Sequence, residues 1–367
     1  MPLTRLEVDG YRSLRELVFE FGQITVVTGA NGVGKTNAYR ALQLVHACAA
    51  GDLAHMVVAE GGMPSVVWAG QRRGEPKVRL AVVLDEIRYE VTLATVGRGA
   101  PDSFSAFPLD PIITIERVEV VEPGARPVEL LERRGALAFV HDEAGRRVTY
   151  PAPFHESESV LSQLIDVRQY PELVVLRSAL LRMRFHHQLR TDERAPARLP
   201  MLGTRTPSVA DNGSDLSAAL ATIQRVGDRG ALDRCVAGAF SGAQVVVDED
   251  RSGRLELQLA MKGGVRRPLR AQELSDGQLR FLFLAAALLA PRPPDVIVLN
   301  EPEASLHVDL LPALAELVVV ASESTQVVLM THAHDLVGAL AERPDTVTIN
   351  LDQVGGATRI AERRTGS

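Results

Sequence analysis

The 367-residue chain has almost no lysine: Lys35, Lys77 and Lys262 stand alone in a basic complement that is otherwise arginine. It has two cysteines, Cys48 and Cys235, and a single tryptophan. Two cysteines this far apart offer neither a disulfide framework nor metal-ligand spacing, so each reads as a small core residue. No apolar run is long enough to span a bilayer; the longest, Phe281 to Ala290, halts at Pro291, Pro293 and Pro294 and reads as a buried helix. The N-terminal residues Met1-Pro2-Leu3-Thr4-Arg5 lack the charged-then-apolar layout of a signal peptide, which points to the cytoplasm. No heptad arms and no Cys-x-x-Cys hook interrupt the middle of the chain, which argues against a coiled-coil ring. A net charge of −6 argues against binding nucleic acid through overall charge, while leaving room for a local basic face.

What is present is a strict order of elements. Leu6-Glu7-Val8 and Leu17 to Phe21 read as strands, and the β-branched run Ile24 to Thr28 as a buried one. A helix is expected over Lys35 to Ala50, ended by Gly51. The middle region carries strand candidates at Val78 to Val83, Ile87 to Leu93, Ile112 to Val121 and Ala138 to Val140. Helices are expected over Ser157 to Val167, Leu173 to Gln188 and Leu216 to Val226, with a Pro/Gly/Ser/Thr-rich loop from Arg198 to Asn212. Gln244 to Asp248 and Arg254 to Met261 predict a hairpin turned at Asp250-Arg251-Ser252-Gly253. From Asp276 the chain alternates helix (Asp276 to Leu289, Val308 to Ala321, Ala333 to Glu342) and strand (Val296 to Leu299, Gln326 to Met330, Val347 to Leu351, Thr358 to Ala361). Apolar strands between helices imply a parallel sheet covered on both faces. One strand and one helix cannot bury themselves, so the N-terminal unit must join this sheet. The expectation is one discontinuous α/β domain over 1–367, with its core in 1–50 and 269–367 and a strand-rich, helical insertion lobe in 51–268.

Three constellations carry chemistry. Gly29-Ala30-Asn31-Gly32-Val33-Gly34-Lys35-Thr36, between a strand and a helix, is a P-loop. Gly29, Gly32 and Gly34 let the backbone N–H groups wrap phosphate oxygens, Lys35 reaches the β- and γ-phosphates, and Thr36 offers a hydroxyl to Mg²⁺. In a chain that otherwise uses arginine, a lysine here fits the need for a compact ammonium. Leu274-Ser275-Asp276-Gly277-Gln278 opens the buried helix, where Ser275 can cap and the free N–H groups make an anion site. Val296-Ile297-Val298-Leu299-Asn300-Glu301-Pro302-Glu303 is an apolar strand with an acidic tip, placing Glu301 to polarise a water as general base. Ala304-Ser305-Leu306-His307 follows, and a second buried strand, Val327 to Thr331, ends at His332, on the carboxyl edge where open α/β sheets bind ligands.

That order of motifs resembles the ABC-type P-loop ATPase heads of the structural-maintenance-of-chromosomes, RecF and overcoming-lysogenization-defect group. Tyr11-Arg12-Ser13-Leu14, the P-loop through Asn37, and Asn300-Glu301-Pro302-Glu303-Ala304-Ser305-Leu306-His307 carry the resemblance; Asp211 to Leu216 is a weaker match. The resemblance implies an ATP- and Mg²⁺-dependent ATPase in which two heads sandwich two nucleotides. Each P-loop would face Ser275, Gly277 and Gln278 of the partner subunit. It assigns water activation to Glu301, a γ-phosphate switch to His332, and nucleotide contacts to Gly29, Asn31, Gly32, Gly34, Lys35, Thr36, Asn37 and Arg12. Tyr11 would stack on adenine, and Mg²⁺ would sit among Thr36, Gln71 and Asn300. One departure stands out: the position that usually carries Asp is Asn300. A neutral amide orients a metal-bound water but adds no charge, so metal affinity should fall and turnover should be slow, with binding intact.

Arg177, Arg182, Arg184, Arg190, Arg194 and Arg198, with His186 and His187 among them, form either a DNA-contacting arm or a solvated helix face. Adjacent histidines lack metal spacing on a helix. The function these features support is a dimerising head in DNA maintenance, DNA repair or phage defence, its client DNA or a partner effector. The ATP-binding subunit of a membrane transporter and a nucleotide-gated regulatory switch are the alternatives. The given sequence runs only to Ser367 after His332, so no appended nuclease is expected.

Overall fold

The computed structural model describes residues 1–71, 74–95, 107, 109–122, 124–141, 145–166, 168–263 and 266–361. The chain divides into two compact units, one made of Met1–Phe21, Gly29–Met183 and Ile349–Ser367, the other of Gly22–Thr28 and Arg184–Thr348.

The first unit is built on an eight-stranded antiparallel sheet in the order Leu14–Glu20, Leu3–Tyr11, Lys77–Leu84, Ile87–Thr95, Pro111–Val120, Val128–Arg134, Leu137–His141, Arg147–Thr149. Its strands alternate. Leu6, Val8, Leu80, Val82, Tyr89 and Val91 are buried, and the helix Lys35–Ala50 packs on the sheet through Ala38, Ala41, Leu42 and Val45. The intervening positions carry charge in a ladder of opposite signs: Arg79 lies 2.7 Å from Glu7, Arg88 2.6 Å from Glu90, and Arg117 2.9 Å from Glu132. Burial acts to raise the Glu132 carboxyl, but hydrogen bonds from Arg134 and Arg117 overcome it and hold the group at about 2. An antiparallel sheet needs only one apolar face, and here the other neutralises itself.

Glu116 and Arg133 lie wholly buried in this unit, 3.3 Å apart. Glu116 accepts from the Tyr89 hydroxyl at 2.6 Å and from the Val160 amide at 3.0 Å; Arg133 donates to the carbonyls of Gly135 and His155 at 2.6 Å and to that of Glu158. A buried charge persists only when paired and fully hydrogen-bonded. The carbonyls of His155 and Glu158 are thus taken just before the helix expected over Ser157 to Val167, which starts only at Val160, capped by Ser159, and is a single turn, Val160–Gln163. Val167 itself lies outside the described residues. Cys48 packs here, its thiol pushed up to about 12 by burial and then by Glu116. Both cysteines are buried and free, as core residues should be.

The second unit holds the parallel sheet. Arg184–His186, Val296–Asn300, Gln326–Thr331 and Ile24–Thr28 pair in that order, all parallel. The buried cluster around it takes Phe281, Leu282, Phe283 and Leu284 from the helix Asp276–Leu288 and Leu314, Leu317 and Val318 from Leu311–Ser322. The helix expected over Leu173 to Gln188 stops at Arg182, because the chain then becomes an edge strand whose His186 pairs with Leu299. Helix Arg229–Ala239, capped by Asp228, and strand Val128–Arg134 had no clear periodic signal. Thr346–Val354 follows Ile24–Thr28 in the strand order of this sheet, and its far end pairs antiparallel with Ala357–Ile360.

Candidate functional site

In the first unit, helix Lys35–Ala50 starts on Gly34 with no side-chain cap, leaving its first N–H groups without a side-chain acceptor. Gly29 (φ 146°) and Gly34 (φ 111°) need both a left-handed backbone and the absence of a side chain. A Cβ on Gly29 would lie 2.4 Å from the Leu351 carbonyl oxygen; one on Gly34 would lie 2.3 Å from Thr358 Oγ1 and 2.9 Å from Ser13 Oγ. Gly32 has positive φ and open space, and Asn31 is exposed beside it. Lys35 is buried, its ammonium donating to the Gly29 and Ala30 carbonyls at 2.6 and 2.9 Å, so the loop is already closed around its cation. Thr36 is half-buried.

A relay of hydroxyls bolts this loop. Thr358 Oγ1 donates to the Val33 carbonyl at 2.7 Å, which leaves Ser13 Oγ to donate to Thr358 Oγ1 at 2.7 Å. Asn37 in turn donates to Ser13 Oγ at 2.8 Å. The Asn37 side chain therefore supports the loop from behind. Ser13 and Thr358 were not candidates from sequence; nothing in a Ser or Thr remote from the P-loop announces such a contact.

Arg12 has a left-handed backbone (φ 49°) and its guanidinium sits on Glu60, at 2.6 and 2.8 Å. Tyr11 also donates to Glu60, at 2.7 Å, and is wholly buried. Burial, then the Glu60 charge, pushes its phenol pKa well up. The expectation that Tyr11 stacks on adenine is therefore corrected, since its ring has no free face. Gln71 is exposed with Asp9, Arg15, Glu16, Trp68 and Glu75 around an open depression of about 640 Å³. P-loop residues are not among its lining.

In the second unit, the ends of three adjacent parallel strands lie in register: Thr28 pairs with Thr331, and Met330 with Asn300. Gly29 is the next residue after Thr28. Asn300 is 1% exposed; its Nδ2 is 2.9 Å from His187 Nδ1, and its Oδ1 is buried with no partner among the described residues. Glu301 is half-buried at φ 51°, and its amide donates to the Met330 carbonyl at 2.8 Å. A non-glycine residue held in that region carries strain, which functional sites retain.

His332 is exposed, and its Nδ1 lies 3.2 Å from Glu303 Oε1. The same oxygen accepts from Thr331 Oγ1 at 2.6 Å and the His332 amide at 3.0 Å. Glu303 thus fixes the ring and leaves Nε2 outward; the Glu-x-Glu spacing was its only sequence signal. Ser275 accepts from the Gln278 amide at 3.2 Å while Gln278 accepts from the Ser275 amide at 2.9 Å, a reciprocal cap. A Cβ on Gly277 would meet the Ser305 carbonyl at 3.0 Å. Arg198, buried, donates to the Ala271 and Leu274 carbonyls at 2.7 Å and to Asp276 at 2.9 Å, clamping the segment that leads to Ser275. Four of the six arginines singled out between Arg177 and Arg198 have a place in the fold. Arg198 is a clamp, Arg177 donates to the Ala49 carbonyl, Arg190 pairs with Asp192, and Arg184 lies on a strand.

A protein family described as "AAA domain, putative AbiEii toxin, Type IV TA system" matches residues 24–337. The chain belongs to this family. It is an ATP-binding P-loop ATPase of the kind its motifs resemble, and solved structures agree on the fold. One is an Smc head bound to the C-winged helix domain of ScpA (16% identity, TM-score 0.53, covering 98% of each chain). Another is the Pyrococcus furiosus Smc head with an extended coiled coil bound to the C-terminal domain of ScpA (13%, 0.53, covering 98% of this chain and 96% of that). A third is the Smc head of Pyrococcus yayanosii with a coiled coil and joint (12%, 0.51, the same coverage). No curated protein matches the chain in sequence. Among the described residues of this AAA-domain protein, no helix is long and apolar enough to cross a membrane, and no group of three or more His, Cys, Asp or Glu is placed to hold a metal ion.

Proposed function

We propose that this ATPase hydrolyses ATP slowly as a dimer, with two copies closing on two nucleotides. The observation that carries the reading is the alignment of the strand ends at Thr28, Asn300 and Thr331 on one sheet edge, with the P-loop beginning one residue beyond the first. The P-loop N–H groups and Lys35 would hold the phosphates, with Asn31, Gly32 and Arg12 at their margin. For Arg12 this requires release from Glu60. Glu301 would take the proton of the attacking water, and His332, held by Glu303, would contact the γ-phosphate. Ser275 and Gly277 of the partner subunit would complete the site.

Mg²⁺ suits the donors this reading would bring together: Asn300 presents a buried carbonyl oxygen with no partner among the described residues, and Thr36 a half-buried hydroxyl. When bound it would neutralise phosphate charge; Thr36, Asn300 and Gln71 would hold it. Asn300 brings one negative charge fewer than aspartate, so the metal is held more weakly and turnover is slow.

We read 1–367 as one discontinuous ATPase domain acting in the cytoplasm, its client DNA or a partner effector in repair or phage defence. On the first unit's sheet Arg79, Arg88 and Arg117 are each paired with a carboxylate, which favours a partner protein over DNA on that face. The family description includes a toxin, which supports an effector over a transporter subunit. Asn300 favours a second reading, a switch whose nucleotide-bound state matters more than its turnover. The test is Glu301→Gln with ATP on a sizing column, with and without DNA. A stable dimer is expected; a monomer at saturating ATP refutes the sandwich, and co-elution with DNA identifies the client.

A further inference from the structure

We propose that His187 is a positioning residue that fixes which atom Asn300 presents to the metal's hydration shell; this rests on the Mg²⁺–ATP reading above. The edge strand Arg184–His186 runs parallel to Val296–Asn300 with His186 opposite Leu299, so the next residue, His187, falls beside Asn300. Its Nδ1 lies 2.9 Å from Asn300 Nδ2 and 3.3 Å from the Asn300 backbone carbonyl oxygen; in the tautomer with its proton on Nε2, Nδ1 accepts from the Asn300 amide. The backbone there is pinned as well. Arg280, buried on the helix that Ser275 caps, donates to the His187 carbonyl and lies 3.5 Å from that of Glu301.

An amide, unlike a carboxylate, has two different ends. If Asn300 were turned the other way, its NH₂ would be the buried group without an acceptor, two unmet donors in place of one under-used carbonyl. With Nδ2 given to His187, Oδ1 is the free end, and it is the buried oxygen that lacks a partner. An oxygen accepts from a metal-bound water, whereas an NH₂ opposes it. A chain that carries Asn where aspartate is usual thus needs a neighbour to choose the face, and the edge strand supplies one. An aspartate, with two equivalent oxygens, would need none.

That difference defines the experiment. Full-length wild type, His187→Ala, His187→Gln, Asn300→Asp and the His187→Ala/Asn300→Asp pair are titrated with Mg²⁺ at fixed N-methylanthraniloyl-ATP. Each is also measured in EDTA, with melting temperatures recorded. Loss of a group that orients a metal ligand costs on the order of 10-fold in metal affinity. His187→Ala should therefore raise the Mg²⁺ half-saturation about 10-fold, with affinity in EDTA held within about twofold. His187→Gln, which keeps an acceptor, should recover most of the loss. In the Asn300→Asp background the His187→Ala effect should shrink to about twofold or less, because either carboxylate oxygen serves. An equal loss in both backgrounds, or no loss with Asn300 in place, overturns the proposal. Wild type whose nucleotide binding ignores Mg²⁺ overturns the underlying reading with it. If His187→Ala does not fold, the same comparison is made with His187→Phe, which fills the space and accepts nothing.

Discussion

Replacing Thr358 by valine removes one hydroxyl and almost no volume. That hydroxyl is the middle of the relay from Asn37 through Ser13 to the Val33 carbonyl, and Thr358 is 3% exposed, so water does not readily replace it. Two bonds are lost: the Val33 carbonyl loses its donor and the Ser13 hydroxyl its acceptor. At about 1 kcal/mol per intramolecular hydrogen bond, and more where a buried group stays unmet, the chain should lose about 2–3 kcal/mol of stability. Part of that loss belongs to the loop itself, because Val33 sits between two glycines whose conformations the relay helps to fix. A loop that must be reordered by its ligand binds more weakly. If half of the loss, roughly 1.4 kcal/mol, is charged to binding, nucleotide affinity falls about 10-fold. Thr358→Ser is the control: it keeps the relay and loses a methyl contact, at a cost of about 1 kcal/mol in stability with affinity near wild type. The assay is fluorescent ATP-analogue titration beside urea denaturation for both variants. The relay has no role at the P-loop if Thr358→Val loses stability yet binds nucleotide within twofold of wild type. If neither quantity changes, the relay does not exist in solution.

Glu303→Gln should lower kcat for phosphate release about 10-fold, with nucleotide affinity nearly unchanged, because it weakens the carboxylate that orients His332 while keeping its shape; an unchanged kcat refutes that role. Glu132 makes the sheet sensitive to acid. Its folded-state pKa of about 2 lies below the ordinary carboxyl range, so its contribution to stability is complete above about pH 4.5 and is lost as pH falls towards 2. Urea midpoints of wild type and Glu132→Gln should therefore differ at pH 7 and draw together as pH falls from 4.5 towards 2; a gap as wide at pH 2.5 as at pH 7 refutes the account.

The parallel core was legible because its strands are buried on both faces and spell themselves as apolar runs. Val296 to Asn300 and Gln326 to Thr331 differ by one residue at most from the expected spans, and Lys35–Ala50 coincides with its own. Where the sequence misled, tertiary contacts had overridden a local pattern. Residues 184–186 continue a run that suits a helix, yet they gain more by completing the sheet edge. Residues 157–159 resemble a helix start, but the neighbouring carbonyls of His155 and Glu158 are needed by the buried Arg133. Half-buried antiparallel strands such as Val128–Arg134 carry so much charge on their outer face that the apolar alternation nearly vanishes.

The motif residues were readable because phosphate chemistry restricts them to few types at fixed spacing; the residues that hold them were not. Ser13, Glu60, His187, Arg198, Glu303 and Thr358 each act on a motif through a contact that depends on the fold. Arg198 and Asp276 are 78 positions apart, and Thr358 and Val33 are 325 apart. No local pattern encodes such pairs. His187 shows what this costs an argument from sequence. Placed on a helix beside His186, it had no plausible ligand geometry; placed one residue past an edge strand, it faces the single position at which the motif departs from its usual spelling. The Asn300 departure and the His187 contact are therefore better treated as one change than as two. An aspartate at 300 would confront His187 with a charge in a buried site. An amide meets the same imidazole as a neutral donor. On that argument, the neutral residue at 300 is suited to its neighbour.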